Sequence, residues 1–329
     1  MIGVSVIICC YNSVQRLSNT LKHLSNQITE NNLNWEIILI DNNSTDNTSQ
    51  YAIQNLEHFT PAISYKVINE IKNGLVFARE RGVAEANFDY LIFCDDDNWL
   101  CDTYIQQTYN YFEKLPQNVG IIGGIGEAIF EKDSLNGKGI YAGATGKQSD
   151  FEGKILDVRG VYGAGMAIKK EVFSKIKSFD LQFLLSDRIG KQMSCGGDTE
   201  ICMLSLILGF KIHYYSTLKF FHFMPNYRLT AEHCHQATLG VARSKYYLLL
   251  YNIIIGSNNP KLKLYLFPFI EFYNSIRLLF NLKKNSSYKN DEIKLIGFER
   301  LKNVFSNLFP YYLNVNYFFH LLKIKNEMN

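Results

Sequence analysis

The stretch Tyr90-Leu-Ile-Phe-Cys-Asp-Asp-Asp-Asn-Trp-Leu100 changes from apolar to charged in a single step. Residues 90–94 have the composition of a strand that is buried on both faces, and three consecutive carboxylates follow at its carboxyl end. Holding these carboxylates together costs free energy through like-charge repulsion, so we expect a cation beside them. A divalent ion that prefers oxygen ligands and carries a nucleotide diphosphate is one candidate. A solvated loop that caps a helix starting near Thr103 is the alternative.

Strand-like and helix-like patterns alternate on the amino-terminal side of this stretch. They predict strands at residues 4–10, 35–40 and 65–69 and helices at residues 14–27, 47–59 and 74–86. Strands that alternate with helices indicate an α/β fold with a largely parallel sheet and right-handed crossovers. Ligands bind at the carboxyl ends of such strands, which here carry Tyr11, Asp41, Asn73 and the aspartates at 95–97.

The carboxyl-terminal side of the stretch is less regular. It predicts helices at residues 103–115, 170–176 and 201–208, a glycine-interrupted strand pair at 119–130, and strands at 163–168 and 211–216. Residues 131–158 are rich in glycine and predict a long loop, which we interpret as a flap. From residue 231 onward the chain is mostly helical and aromatic.

The composition is that of a globular protein, because 47% of the 329 residues are hydrophobic and 20% are charged. The net charge of +3 gives no indication of a nucleic-acid partner, but 13 Lys or Arg against 5 Asp or Glu in residues 240–329 make the tail basic. The seven cysteines lack paired metal-ligand spacing and mostly lie in apolar runs, as reduced cysteines do. Such cysteines lead us to expect a reducing, cytoplasmic compartment. The apolar start lacks the basic leader and cleavage site of a signal peptide, so we expect it to be the first strand.

A predicted helix at residues 261–280 has two interpretations. Pro268, Glu271 and Arg277 interrupt its apolar run, which makes it too short and too polar for a membrane span. Lysines flank it at positions 261, 263, 283 and 284, a pattern that favours a helix lying at the membrane interface. A helix packed on the rest of the protein, with its basic ends in solvent, explains the same residues equally well.

Five short stretches share an order and a spacing that identify a family. They are Val4-Ser-Val-Ile-Ile-Cys-Cys-Tyr-Asn12, Ile38-Leu-Ile-Asp-Asn-Asn-Ser-Thr-Asp46, Asn73-Gly-Leu-Val-Phe-Ala-Arg-Glu-Arg-Gly82, Ile92-Phe-Cys-Asp-Asp-Asp97 and Gly196-Gly-Asp-Thr-Glu200. Together they resemble a family 2 glycosyltransferase of the glycosyltransferase-A fold. The resemblance implies a Rossmann-like, mostly parallel sheet flanked by helices in a catalytic domain at residues 1–230. Its nucleotide-sugar half would be about 1–100 and its acceptor half about 101–230, followed by a mainly helical, aromatic and basic extension at 231–329.

The resemblance also implies an activity, the transfer of one sugar with inversion of its anomeric configuration. The donor would be a nucleotide-diphosphate sugar, with UDP favoured as the nucleotide. The acceptor would be a hydroxyl of a glycan or lipid-linked molecule in cell-surface polysaccharide synthesis. It assigns nucleotide-sugar contacts to Cys9, Tyr11, Asp41, Arg79, Asp95 and Asp96. Asp41 would accept the uracil imide N–H, although a turn-forming role explains this residue nearly as well. Arg79 would reach the nucleotide or diphosphate; a surface salt bridge with a nearby Glu is the alternative.

A metal site is implied by the same resemblance. Asp97 would bind Mn²⁺ or Mg²⁺ on the diphosphate, and His222 matches the position of a further ligand. A lone His between two phenylalanines is also typical of a satisfied core residue, so both interpretations of His222 stay open. Arg228 would clamp the diphosphate. The Gln-x-x-Arg-Trp signature of processive synthases is missing, which favours one sugar per encounter.

On the acceptor side, the resemblance makes Asp198 the general base, and Gly163, Gly165 and Met166 the acceptor-side wall. Asp198 is also a favourable N-cap for the helix that follows it. Where the family more often has Glu directly before this Asp, the chain has Gly197. This departure keeps a second hypothesis open, a nucleotide-sugar-binding protein with weakened catalysis.

Two further expectations concern function class and location. A sugar-nucleotide nucleotidylyltransferase needs a Gly-rich, basic loop after the first strand, and Cys9-Cys-Tyr-Asn-Ser13 offers none. We therefore disfavour that class of enzyme. The basic, aromatic tail adds the expectation of peripheral contact with the inner face of the membrane.

Overall fold

The computed structural model describes residues 1–59, 63–131, 145–150, 152–153, 160–185, 187, 195–280 and 290–328. Its strands are β1 (Val4–Cys10), β2 (Trp35–Asp41), β3 (Ser64–Asn69), β4 (Tyr90–Asp95), β5 (Asn98–Leu100), β6 (Val119–Phe130), β7 (Ala167–Lys169) and β8 (Lys211–Met224). Its helices are α1 (Val14–Ser25), α2 (Thr48–Leu56), α3 (Leu75–Glu85), α4 (Tyr104–Lys114), α5 (Lys170–Ser178), α6 (Gly197–Ile207), α7 (Ala231–Gly256), α8 (Pro260–Leu279) and α9 (Asn290–Met328), with a short 3₁₀ helix at Asn226–Leu229. The strands form one sheet in the order β3-β2-β1-β4-β7-β6-β8-β5.

The amino-terminal half of the sheet is parallel, as the alternating pattern predicted. β1 lies between β2 and β4, and β3 flanks β2. The register pairs Cys9 with Asp95 and Cys10 with Asp41, so the carboxyl ends of the three strands meet at one edge. Because helices cover both faces, β1 is apolar nearly throughout: Ile7 packs into one core, while Ile8 packs into the other.

The other half of the sheet is mixed, and here the structure corrects several local predictions. β7 is antiparallel to β4 and β6, β5 is antiparallel to β8, and β6 is parallel to β8. The strand pair predicted at 119–130 is one strand, β6, whose register shifts twice against β8. A Cβ on Gly124 would lie 1.7 Å from the carbonyl oxygen of Leu218, so glycine permits this close approach of two backbones. Strand structure in the predicted segment 163–168 is confined to its end, in β7.

The predicted strand at residues 211–216 continues to Met224 as β8. His222 therefore lies inside a strand and pairs with Asn98 of β5, although the sequence indicated a position beyond the last strand. The predicted flap at 131–158 falls largely outside the described residues. Its effect on the site stays a prediction.

The carboxyl-terminal helices share a hydrophobic core with the sheet and α6. α7 and α9 contribute Tyr251 and Phe318 to the core that also contains Ile7 of β1 and Ile201 of α6. α8 packs through Leu264 and Phe267, and its buried Glu271 makes two bonds to Arg300 of α9, at 2.5 and 2.6 Å. None of the helices in the described part of the chain combines the length and the apolarity needed to cross a bilayer.

Candidate active site

A cavity of about 520 Å³ opens at the carboxyl edge of the parallel strands. This volume is typical of small-molecule sites. Ten residues predicted to act in binding or catalysis line it: Cys9, Tyr11, Arg79, Asp95, Asp96, Asp97, Gly163, Asp198, His222 and Arg228. The structure therefore brings together side chains from both halves of the sheet. Asp41, Gly165 and Met166 do not reach the cavity wall.

Arginines supply positive charge beside the aspartate cluster. Asp96 Oδ2 pairs with Arg16 Nη2 at 2.5 Å and accepts a hydrogen bond from the Ser13 hydroxyl. Burial, and then the neighbouring Asp97, raise the pKa of Asp96, while Arg16 opposes that rise. The cation that the sequence led us to expect beside the aspartates is therefore, in the case of Asp96, the guanidinium of Arg16.

Asp97 and His222, the two predicted metal ligands, converge in a buried position. Asp97 Oδ1 lies 3.7 Å from His222 Nε2 and accepts a hydrogen bond from Asn98 Nδ2 at 2.7 Å. Arg228 contacts both ligands: its Nη2 lies 2.6 Å from Asp97 Oδ2, and its Nη1 lies 3.0 Å from His222 Nε2. The guanidinium of Arg228 thus contacts Asp97 Oδ2 and His222 Nε2, the atoms through which these residues would bind an ion.

The donor chemistry of this pair fits a divalent ion. Carboxylate oxygen and imidazole nitrogen both bind Mn²⁺, and phosphate oxygens commonly complete such sites. The described residues contain no cluster of three or more His, Cys, Asp or Glu side chains arranged to hold a metal. The ligands of a bound diphosphate would complete the coordination of an ion at Asp97 and His222, and the ion would require Arg228 to move.

Asp198 lies in the first turn of α6, beside the cavity. Its Oδ2 accepts the backbone N–H of Gly163 at 2.9 Å, and its Oδ1 accepts that of Thr199 at 2.8 Å. Gly196, with φ of +109°, is the N-cap of this helix, so the alternative in which Asp198 is the N-cap is wrong. The half-buried carboxylate is held at the wall from both sides and still lines the cavity.

Arg79 is buried, and its partner differs from the predicted alternative of a surface salt bridge with a Glu. Its Nη1 lies 3.3 Å from Asp187 Oδ2, and both side chains are less than a tenth exposed. Burial opposes the charge of Arg79, but Asp187, Asp95 and Asp198 around it raise its pKa overall. Arg79 therefore brings a permanent positive charge to the cavity wall.

The predicted base-binding residues have different surroundings. Tyr11 lines the cavity and is 46% exposed, so its ring is accessible from solvent. Burial raises the pKa of the Cys9 thiol to about 12, so this side chain is neutral. Asp41 uses both carboxylate oxygens locally, accepting the N–H of Ser44 in the following loop at 2.9 Å and the hydroxyl of Ser49 in the first turn of α2. The turn-forming role of Asp41 is therefore observed, and its contact with uracil stays a prediction.

Only Gly163 of the three predicted acceptor-side residues reaches the cavity. A Cβ there would lie 2.6 Å from Arg79 Nη2 and 3.1 Å from Asp198 Cβ, so glycine lets both side chains approach. Gly165 turns the chain away with φ of +70°, and its carbonyl accepts a hydrogen bond from Tyr104. Met166 is fully buried in the core, because the chain enters β7 just beyond the turn.

Several cavity residues were missed by sequence reasoning. They are Arg16, Asn42, Asp187, Cys195, Tyr227 and His233. Asn42 had a usable signal, since it follows β2 at the carboxyl edge; its side chain donates to the carbonyl of Lys72 at 2.7 Å and accepts from the N–H of Gly74 at 2.7 Å. Asp187 had none, because it lies in a loop outside every motif.

Comparison with known proteins gives matches over most of the chain. The family model described as Glycosyl transferase family 2 matches residues 5–177, which is more than half of the chain. The poly(ribitol-phosphate) beta-N-acetylglucosaminyltransferase TarP of Staphylococcus aureus is 25% identical over 203 residues, which are 56% of this chain and 58% of TarP. The segments matched in the curated relatives span 28% to 58% of those proteins' lengths.

Two of the solved structures that match cover nearly the whole chain. S. aureus TarS 1–349 in complex with UDP-GlcNAc has a TM-score of 0.55 at 15% identity, and covers 95% of this chain and 76% of that one. Mannosyltransferase PcManGT from Pyrobaculum calidifontis, in complex with GDP-Man and Mn²⁺, has a TM-score of 0.56 at 14% identity and covers 99% and 86%. At these identities the likeness shows the fold, which is the glycosyltransferase-A fold.

Proposed function

The chain belongs to glycosyltransferase family 2, and from this premise we propose that it transfers one sugar from a nucleotide-diphosphate sugar to a hydroxyl group, with inversion at the anomeric carbon. The observation that carries the proposal is the shared cavity of Asp97, Asp198, Arg79 and Arg228. It combines a carboxylate beside cations that suit a diphosphate with a second carboxylate that lines the same cavity and would serve a hydroxyl. Family membership also removes the nucleotidylyltransferase alternative.

The proposed donor is a UDP-sugar. The complex of TarS with UDP-GlcNAc supports this choice, whereas PcManGT was crystallised with GDP-Man, so a guanosine donor is the outcome to test against it. Tyr11 would pack on the base from the cavity rim, and Arg79 and Arg228 would contact phosphate oxygens. Arginine suits this role because its planar guanidinium binds phosphate oxygens in pairs.

The proposed cofactor is Mn²⁺ or Mg²⁺, held by Asp97 and His222. A bound ion would neutralise the charge that builds on the departing nucleotide diphosphate. The crystallisation of PcManGT with Mn²⁺ supports metal use in this fold. Arg228 would leave Asp97 when the donor binds and pair with the diphosphate, which carries more negative charge than the carboxylate.

Asp198 is the proposed general base. Its carboxylate would take the proton of the acceptor hydroxyl while that oxygen attacks the anomeric carbon. A new carbon–oxygen bond forms, the bond from the anomeric carbon to the diphosphate oxygen breaks, and the nucleotide diphosphate leaves with the electron pair. Attack opposite the leaving group inverts the configuration. The contact between Asp198 and the N–H of Gly163 supports this role, because it directs the carboxylate toward the cavity.

The proposed acceptor is a glycan or lipid-linked glycan of the cell surface, met at the cytoplasmic face of the membrane. TarP, whose name specifies poly(ribitol-phosphate), supports a cell-surface polymer. α8 supports membrane contact: Leu262, Tyr265, Phe269 and Tyr273 recur at helical spacing and are 52% to 69% exposed. Exposed lysines at positions 261 and 263 lie at the amino end of this face, and apolar side chains beside lysines suit an anionic lipid surface.

Calorimetry with UDP, with Mn²⁺ and then with a chelator, tests the nucleotide site without knowledge of sugar or acceptor. We expect binding that requires the ion and is lost in Asp97→Ala. Binding of GDP or dTDP alone would refute the uridine assignment, and binding of none of the three would refute the function.

Donor turnover tests the chemistry. UDP release from UDP-GlcNAc, UDP-glucose and UDP-galactose is measured with ribitol-phosphate oligomers and undecaprenyl-diphosphate sugars as acceptors. Asp198→Asn should bind UDP as the wild type does and lose roughly 10²–10⁴-fold in turnover, the usual contribution of a general base. Wild-type turnover in that variant would remove Asp198 from the role, and UDP binding without any wild-type turnover would support a protein with weakened catalysis.

A further inference from the structure

A carboxylate from a neighbouring loop fills the space beside the residue that precedes Asp198. Asp187 is buried, and its Oδ1 accepts the backbone N–H of Gly197 at 2.7 Å. A Cβ on Gly197 would lie 2.1 Å from Asp187 Oδ2 and 2.6 Å from its Cγ, closer than real contacts permit. Asp187 in this position therefore leaves no room for a side chain at residue 197, and its carboxylate occupies the space where that side chain would lie.

The second oxygen of Asp187 engages Arg79. The distance from Oδ2 to Arg79 Nη1 is 3.3 Å, and Arg79 also lies in the field of Asp198. A buried arginine that loses its partner pairs with the next available carboxylate, because an uncompensated buried charge is costly. In this cavity that carboxylate is Asp198 or Asp95. The pair with Asp187 thus keeps Arg79 from occupying Asp198.

The loop that carries Asp187 is fixed to the same helix at a second point. The N–H groups of Leu184 and Leu185 donate to the carboxylate of Glu200 at 2.8 and 2.9 Å, and Glu200 lies one turn beyond Gly197 in α6. Asp187 itself has φ of +51°, a left-handed conformation that Asp tolerates better than most residues. The backbone is therefore held so that the carboxylate reaches the amino end of α6.

We propose that Asp187 is a positioning residue of the transfer reaction, which fixes the start of α6 and engages Arg79 so that Asp198 stays available to the acceptor hydroxyl. The inference rests on the proposed function, since it assumes that Asp198 is the base. It also explains Gly197 as one partner of a compensating pair, whereas in the sequence this glycine only kept the hypothesis of weakened catalysis open.

Variants at two positions test the proposal by moving the carboxylate. Asp187→Asn keeps an acceptor for the Gly197 N–H and removes the charge beside Arg79, and Asp187→Gly removes both. We expect kcat to fall by up to about a hundredfold, as for a misplaced catalytic group, with the Kd for UDP changed less than about threefold. Asp187→Gly combined with Gly197→Asp returns a carboxylate to the same space and should recover at least about tenfold of the loss.

Asp180→Gly is the matched control. Asp180 has φ of +52°, nearly that of Asp187, but is exposed and outside the cavity. Its replacement removes the same backbone strain without touching the site, so kcat should not change. Amide exchange in the first turn of α6 gives a readout independent of turnover: it should be faster in Asp187→Gly and restored in the double variant.

The outcomes separate the two proposals. Unchanged kcat and exchange in both Asp187 variants, while Asp198→Asn is inactive, would overturn the positioning role and leave the proposed function standing. The positioning role would also be overturned if Asp187→Gly lowers kcat, the double variant with Gly197→Asp does not recover it, and amide exchange in α6 stays normal. A wild type that consumes no donor would refute the proposed function, and exchange would still decide whether Asp187 fixes α6.

Discussion

The buried carboxylate of Glu200 should make the folded protein lose stability as the pH rises from 4.5 to 7. Burial raises the pKa of Glu200 from 4.5 to about 7, although hydrogen bonds from Tyr251, Leu184 and Leu185 oppose the rise. A carboxyl group whose pKa is higher in the folded state than in the unfolded chain binds its proton more tightly when folded. Its stabilising contribution is therefore complete below pH 4.5 and is lost by about pH 7.

The magnitude follows from the two pKa values. An interval from 4.5 to about 7, at about 1.4 kcal/mol for each pH unit, amounts to about 3 kcal/mol of unfolding free energy. A typical domain is stable by only about 5–15 kcal/mol, so a change of this size is readily measured.

The assay is urea unfolding of the wild type and of Glu200→Gln at half-unit pH steps from 4.5 to 8. Glutamine keeps an acceptor oxygen for the loop and cannot ionise, so other titrating groups cancel in the difference between the two proteins. We expect the wild type to gain about 3 kcal/mol relative to the variant on going from pH 7.5 to pH 4.5. A difference that is constant over this range would refute the raised pKa. A difference of opposite sign would mean that the hydrogen bonds outweigh burial.

The remaining predictions concern the cation site and α8. Arg228→Ala should raise the affinity of the nucleotide-free protein for Mn²⁺ by about tenfold or more, since the guanidinium competes for Asp97, and should weaken UDP binding; lower Mn²⁺ affinity would mean that Arg228 does not compete with the ion. Phe269→Ser with Tyr273→Ser should lower partition onto phosphatidylglycerol vesicles by about a hundredfold, while Ile71→Ser, at a side chain 78% exposed elsewhere, should not. Unchanged partition, or a change of oligomeric state on sedimentation, would refute lipid docking by this face.

The parallel half of the fold could be predicted because its signals are local. β1 and β4 are mostly apolar on both faces and lead into polar residues at their carboxyl ends, so their strands and their shared carboxyl edge follow from the sequence alone. Cys9 and Asp95 are neighbours for this reason. α3 was predicted at residues 74–86 and is observed at Leu75–Glu85, with Gly74 and Ala86 as its two caps, so both ends agree to within one residue.

Long-range packing decided what the sequence could not predict. Residues of β8 beyond 216 pair with β5 and β6, and this pairing carries the strand to Met224 through a run that has no strand period of its own. The pairing of Arg228 with Asp97 joins residues far apart in the chain, which no spacing rule predicts. Asp187 could not be predicted for the same reason. Its proposed role depends on its contact with Gly197, which only the folded structure shows.

The carboxyl-terminal extension connects to the site through the same buried group. Tyr251 of α7 donates to Glu200 Oε1 at 2.6 Å, and Glu200 in turn holds the loop that leads to Asp187. Through α7, the extension therefore supports the start of α6, while α8 in the same extension presents the exposed aromatic face. The ion pair of Glu271 with Arg300 fixes α8 to α9, so the exposed aromatic face belongs to a helix that is packed against the rest of the extension. α8, which is proposed to contact lipid, therefore belongs to the same group of packed helices as α7, which supports the turn of α6 that carries Asp198.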